Sequence, residues 1–277
     1  MTTDEKLAAI LAAVQTDPGN RGLARDPHDN LFTATAGQFQ AACRSIAEHP
    51  DPVVAIFTGF WIPTATPPAF ETDGPPGSWL LANVLVPMGY CVSMFWEKEQ
   101  PAPGDGSRFT HDVTCERPGP TADGSFRTMR GIEITSSHQD IHQKYLDILE
   151  RDRPIRIGIG DGGNEIGMGS IPAATVAKNI PDAARVQCVT SCDHLIVAGV
   201  SNWGAAALAA GVMILRGHRL HLDYFDEAAG QGAMQTLASI WGLVDGVTGR
   251  QEATVDGLPW DVYAAPLLRI REILKLP

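Results

Sequence analysis

The sequence predicts an α/β fold: a mostly parallel sheet covered by helices, in Rossmann-like layers that lack a true dinucleotide fingerprint. Two observations predict it. Four β-like runs, VVAIFTGF (Val53 to Phe60), YCVSMFW (Tyr90 to Trp96), IRIGIG (Ile155 to Gly160) and LIVAGV (Leu195 to Val200), alternate with helical patterns, as crossover connections between parallel strands require. The chain of 277 residues, 44% of them apolar, is also large enough for a substantial core.

In chain order, MTTDEKLAAILAAV has the apolar spacing of an amphipathic helix, and Asp4 and Glu5 stand where a secretion signal would carry lysines. Helices are expected near Ser78 to Met88, Ile141 to Leu149, Asn202 to Leu215, Gly232 to Val244 and Trp260 to Leu274, with shorter strands at HDVTCE (His111 to Glu116) and ARVQCV (Ala184 to Val189). Leu195 to Leu215 is 21 residues without a charge, near the length of a membrane span. Ser201 and Asn202 split it and small residues fill its second half, so a strand followed by a buried helix, N-capped at Ser201 or Asn202, is the better reading. The Pro- and Gly-rich stretches PTATPPAFETDGPPG and QPAPGDGSRF are too short and too weakly charged to mark a boundary, so a single domain over 1–277 is expected.

Charge and cysteine usage narrow the partners. With 21 Lys plus Arg against 32 Asp plus Glu, the net charge of −11 disfavours nucleic acid and anionic membrane surfaces and favours a small molecule or metal ion. Five cysteines without close-set CxxC pairs indicate neither a disulfide framework nor a zinc ribbon, which fits a cytoplasmic setting. The sequence does not give the oligomeric state, although a Gly- and Pro-rich α/β enzyme of this size often self-associates as a homo-oligomer.

Gly158, Gly160 and Gly163 match G-x-G-x-x-G after a β-like run. A dinucleotide also needs a helix N-terminus facing its pyrophosphate and an acid ending the next strand. Here Asp161 and Glu165 put negative charge where phosphates would sit, Gly167 and Gly169 weaken the helix, and Asp182 precedes a strand instead of ending one. No nucleotide is expected. Asp161, Asn164 and Glu165 instead offer oxygen ligands to a hard cation or an ammonium group, or else cap local turns.

Two further loops share this character and follow expected strand ends, where open parallel sheets bind ligands. ETDGPPG carries Glu71 and Asp73; ERPGPTADGSFRTMRG carries Glu116, Arg117, Asp123, Arg127 and Arg130, whose guanidinium groups suit a carboxylate. Solvated surface ion pairs would give the same pattern in any one loop.

Together ETDGPPG, ERPGPTADGSFRTMRG, GDGGNEIGMG, AGVSNWG and EATVDGLPW, in this order from Glu71 to Trp260, resemble the D-glutamate cyclase family, whose members close D-glutamate to 5-oxo-D-proline. The resemblance covers most of the chain and implies the cyclase-like unit alone, so the N-terminal extension and second domain of the animal mitochondrial relatives are not expected in it.

The resemblance implies three chemical tasks: deprotonating the α-ammonium, neutralising the γ-carboxylate and protonating the departing oxygen. It implies Asp161, Glu165 and Asp193 as ligands of a divalent metal (Mn2+ or Mg2+) or as the proton shuttle. Glu71, Asp73 and Glu116 join them around the substrate, Arg117 and Arg130 face the α-carboxylate, and Asn164 and Asn202 orient by hydrogen bonds. The same acids could hold the ammonium directly. An amino-acid-binding protein without turnover, and a lactam hydrolase running the reverse direction, share these features.

The remaining residues receive no catalytic role. His138 and His142, spaced i, i+4, lack a third zinc ligand and read as surface residues; His218 and His221 do not share a face. Cys188 and Cys192 read as buried structural thiols, Trp203 as packing over the site or as core, and Asp256-Gly257 as a hairpin turn.

Overall fold

The computed structural model describes residues 1–96, 108–218 and 222–276. His221 and most of QPAPGDGSRF lie outside these residues. Its frame is a five-stranded, all-parallel sheet in the order β4-β1-β5-β6-β7, made of β1 (Val53–Thr58), β4 (Cys91–Phe95), β5 (His111–Cys115), β6 (Ile155–Gly160) and β7 (His194–Val197). A two-stranded antiparallel ribbon, β2 (Trp61–Ile62) with β3 (Ala69–Phe70), lies within the first Pro-rich stretch.

Both faces of the sheet are apolar because both are covered. From β1, Val54 and Ile56 enter the main core with the helices Thr3–Val14, Gln38–Glu48, Pro75–Leu85, Ser201–Leu215 and Trp260–Lys275, while Val53, Ala55 and Phe57 pack on the opposite face with Tyr145 and Ile148 of the helix Thr135–Asp152. Leu195 and Val197 of β7 enter a separate cluster with Val176 and Ile180. The chain runs from β1 to β4 on one side and then returns past β1 to β5 on the other. This reversal opens a crevice beyond the carboxyl ends of β1 and β5, where doubly wound sheets place their ligands.

The uncharged stretch divides as expected into β7 and a helix whose residues Ser201 to Met213 are all buried. No helix among the described residues is long and apolar enough to cross a membrane. The cap expectation is corrected: the N-cap is Val200, and the first helical N–H groups are satisfied by a distant carboxylate, with Asp73 Oδ2 accepting from Ser201 N (2.9 Å) and Oδ1 from Asn202 N (2.8 Å). ARVQCV is not a strand. Asp182 adopts a left-handed conformation and starts the short helix Ala183–Val186, and Ala183, Val186 and Cys188 are buried beside the edge strand instead of extending the sheet.

Candidate active site

Three strand ends deliver the site. Glu116 follows β5, Asp161 follows β6, and Ser201 opens the helix after β7. Glu71 and Asp73 come from the loop after β3, where Glu71 pairs with Val244 in an isolated bridge. Glu71, Glu116, Asp161, Glu165 and Asp256 line one cavity of about 310 Å³ together with Arg21, within the size range of small-ligand sites.

The glycine loop owes its shape to its own acid. Glu165 Oε1 accepts from Asp161 N (2.9 Å) and Gly162 N (2.6 Å), and Oε2 from Gly163 N (2.7 Å). A side chain at position 160 would bring Cβ to 2.9 Å from the Glu165 carboxyl carbon, so Gly160 lets the loop fold onto it. The N–H groups that a pyrophosphate would use therefore already have an acceptor, and the next helix begins only at Ala173.

Two sets of donor atoms lie within 4.8 Å of one another: Asp73, Asp161 and Asp256, and Glu116, Asp161 and Glu165. Asp161 belongs to both. The Arg21 guanidinium pairs with Asp161 Oδ1 and Asp256 Oδ1, and the second carboxylate oxygen of each acid is buried without a hydrogen-bond partner. Ser201 Oγ donates to Glu116 Oε2 at 2.5 Å.

So many buried acids around one paired guanidinium cannot all stay ionised at low cost. Burial, joined by the charges of Asp161 and Glu165, pushes Glu116 well above the usual carboxylate range. Burial does the same to Asp161 against the pull of Arg21, with Asp73 and Asp256 adding to the rise. Glu71 is raised by burial and by Asp256 and Asp73. Asp256 is pushed up to about 7 by burial, again opposed by Arg21.

A pH dependence of stability follows. The folded protein keeps the Asp256 proton up to about pH 7, whereas the unfolded chain releases it near the ordinary value of about 3.9. The native state thus binds more protons between these values, and its stabilisation is full below the lower one and lost as pH rises through the upper. The melting temperature of metal-free protein is expected to fall from about pH 5 to about pH 8, and Asp256→Asn to flatten that fall; a wild-type profile that is level or rising would show that the cluster is compensated.

The structure brings together seven of the residues singled out in the sequence. Glu71, Glu116, Asp161, Glu165, Asn164 and Arg130 line the cavity, Arg130 exposed, and Asp73 joins the acid cluster. Asn164 Nδ2 donates to the Arg127 carbonyl at 2.8 Å, which ties the two loops together. Asn202 acts on backbone instead of ligand: its Oδ1 accepts from Gly74 N and Gly77 N, and its Nδ2 donates to the Thr72 carbonyl.

Two expected site residues lie away from the cavity lining. Asp193 precedes β7 and so sits at the amino end of the sheet, where its carboxylate pairs with Arg156 and accepts from Arg156 N at 2.8 Å. It cannot share a ligand with Asp161, which follows the carboxyl end of β6. Arg117 is buried and does not line the cavity; it donates to the carbonyls of Gly59 (3.2 Å) and His138 (3.0 Å), so it braces loops and does not face a substrate carboxylate.

His138 is not a surface residue. It is fully buried among Phe60, Phe70 and Phe126, and its Nε2 accepts from Trp61 N at 3.2 Å. Half-buried His142 packs against Phe126 and Tyr145. Cys188 is buried and Cys192 half-buried, while Asp123 and Arg127 form a surface ion pair.

Sequence reasoning missed Arg21 and set Asp256 aside. The hairpin reading of Asp256-Gly257 is correct: Val255 and Leu258 bridge, and both turn residues have positive φ. The turn nevertheless aims the Asp256 carboxylate into the cluster, because Asp245 Oδ2 accepts from Gly257 N at 2.7 Å and fixes the turn. Arg21 lies in DPGNRG, a turn signal with one cation inside it and none of the clustered acids.

The family model described as D-glutamate cyclase-like, C-terminal, matches residues 10–103 and 97–271. The mitochondrial D-glutamate cyclase of Homo sapiens is 29% identical over 329 aligned residues, covering 97% of this chain and 52% of the human protein. The chain thus spans about half the length of that relative. The family match runs across the loops that build the acidic cavity as well as the sheet that carries them, and the chain belongs to the D-glutamate cyclase-like family.

Proposed function

We propose that the chain closes D-glutamate to 5-oxo-D-proline with loss of water. The observation that carries this reading is the cavity lined by Glu71, Glu116, Asp161, Glu165 and Asp256, with the guanidinium of Arg21 among them and that of Arg130 at its rim; burial raises the Glu116 carboxyl above its ordinary range and pushes Asp256 up to about 7. The D-glutamate cyclase named among the relatives supports the choice of substrate.

The proton balance defines what the residues must do. The α-ammonium carries three protons, and two must leave before nitrogen is a lactam N–H; the same two end on the oxygen that departs from the γ-carboxyl as water. The site therefore needs groups that take protons and return them nearby. Asp161 takes the ammonium proton, since its Oδ2 is buried without a partner. Glu116, whose protonated form is favoured by burial and whose Oε2 accepts from Ser201 Oγ, supplies a proton to the oxygen that leaves. Glu165, held by three backbone donors, fixes the loop that carries Asp161. Arg130 at the rim draws the dicarboxylate in.

The same residues fit a divalent cation: all donors are carboxylate oxygens, and the buried second oxygens of Asp161 and Asp256 lack partners. Asp161 with Asp73 and Asp256, or with Glu116 and Glu165, would hold Mg2+ or Mn2+. When bound, the ion would supply positive charge against the carboxyl oxygen being replaced.

The test is to incubate metal-stripped protein with D- or L-glutamate, with and without Mn2+ or Mg2+, and to follow 5-oxoproline by chiral chromatography. The reading expects lactam from the D form, increased by metal. Binding of D-glutamate without lactam would favour an amino-acid-binding protein, and ring opening of added 5-oxo-D-proline without cyclisation would favour a lactam hydrolase.

A further inference from the structure

Arg21 enters the acid cluster from a loop that carries none of its acids. The backbone of that loop is pinned. Asp17 Oδ1 accepts from Arg21 N (2.9 Å), and Oδ2 from Gly22 N (2.8 Å) and Leu23 N (3.0 Å). Gly22, with φ of +97°, lies so close to Asn179 that a Cβ would come within 2.3 Å of its carbonyl oxygen.

The side chain is less confined. It keeps 22% of its surface exposed while its guanidinium pairs with both Asp161 and Asp256. A cation belonging to the chain thus occupies one oxygen of each acid, and the other oxygen of each is left buried and unpartnered. An incoming ammonium needs those same acids.

An α-amino acid carries both halves of an exchange. Its ammonium can replace the guanidinium at Asp161, and its adjacent carboxylate can receive the guanidinium so released. A simple amine would strand the guanidinium, and a simple carboxylate would strand the acids, each leaving a buried charge unpaired.

We infer that Arg21 is an exchange cation: it closes Asp161 and Asp256 in the free protein and turns to the α-carboxylate of an amino acid whose ammonium takes its place, so that the cavity selects α-amino acids over amines that lack an α-carboxylate and over simple acids. The inference rests on the reading that the ligand is D-glutamate. It adds a specificity device that cyclisation itself does not require.

Calorimetric titration of metal-free protein at neutral pH tests it. The ligands are D-glutamate, 4-aminobutyrate (an amine without the α-carboxylate) and Mn2+ alone; the proteins are wild type, Arg21→Ala and Arg21→Lys. Arg21→Ala is expected to weaken D-glutamate by about tenfold or more and to tighten both 4-aminobutyrate and Mn2+ by a similar factor, because the acids are uncovered. Arg21→Lys should keep part of each effect, since an ammonium cannot bridge two carboxylates as a planar fork does.

A gain of affinity cannot come from an unfolded variant, and Arg21→Gln carries the same test should the alanine variant not fold. Undiminished D-glutamate binding by Arg21→Ala would overturn the inference and leave the cyclase reading standing. Weakened D-glutamate binding without a gain for the amine would make Arg21 a plain anchor and also overturn it. Wild-type protein that binds no D-glutamate would overturn both.

Discussion

Asp161→Asn is expected to lower D-glutamate cyclisation by about 100-fold to 10,000-fold, the range over which positioned acid–base groups act. Asp161 is the one residue common to both groups of clustered acids and is paired with Arg21. Its substitution therefore removes a proton acceptor, a ligand of either candidate cation position and the partner of the guanidinium at once. Asparagine preserves the size, and the backbone N–H of residue 161 still donates to Glu165, so the loop is expected to keep its shape. Initial rates of lactam formation measure the effect, with Asp193→Asn at the opposite end of the sheet as the control that should stay within about twofold of wild type. A folded Asp161→Asn protein that cyclises at the wild-type rate would remove Asp161 from the chemistry.

Trp203→Ala is expected to cost about 3 to 5 kcal/mol of stability. Trp203 is 1% exposed and packs in the main core, where its Nε1 donates to the Tyr263 carbonyl at 3.0 Å and its ring lies 6.0 Å from that of Tyr263. Truncation opens a large void between the helices Ser201–Leu215 and Trp260–Lys275, which close packing elsewhere in that core prevents from collapsing. Urea unfolding with an unchanged denaturant slope reads the loss. Trp203→Phe should lose less, since it retains most of the apolar volume, and equal losses for the two would assign the effect to the hydrogen bond instead of the cavity.

The sheet was legible in the sequence because its central strands β1 and β5 are buried on both faces and the first of them stands out as an apolar run; IRIGIG matches β6 residue for residue. ARVQCV offered a similar run, but an apolar run does not distinguish a strand from a loop whose residues tuck under one. The helix expected from Gly232 begins at Glu227, where Asp226 accepts from the N–H groups of Ala228 and Ala229, and ends at Trp241 before a left-handed Gly242. Both signals were in the sequence, but Gly230 and Gly232 obscured them. Among the site residues, those on glycine-rich loops after strand ends could be found because the fold rule points there. Arg21 and Asp256 could not, since their meeting with Asp161 depends on contacts across the whole fold. Asp193 was misplaced because it was assigned from the family resemblance alone, while the direction of β7 carries it to the far end.

The bonds from Asp73 to Ser201 and Asn202 join segments 128 and 129 residues apart, and the Asp256 turn must still be added before the cluster is complete. During synthesis most strands can pair before this point, but the acidic cavity has no partial form: it appears only after nearly the entire sequence has emerged and docked. A chain cut before Asp256 would therefore lack one of the two acids that Arg21 pairs with, so the Arg21 contact with Asp161 and Asp256 marks completed folding.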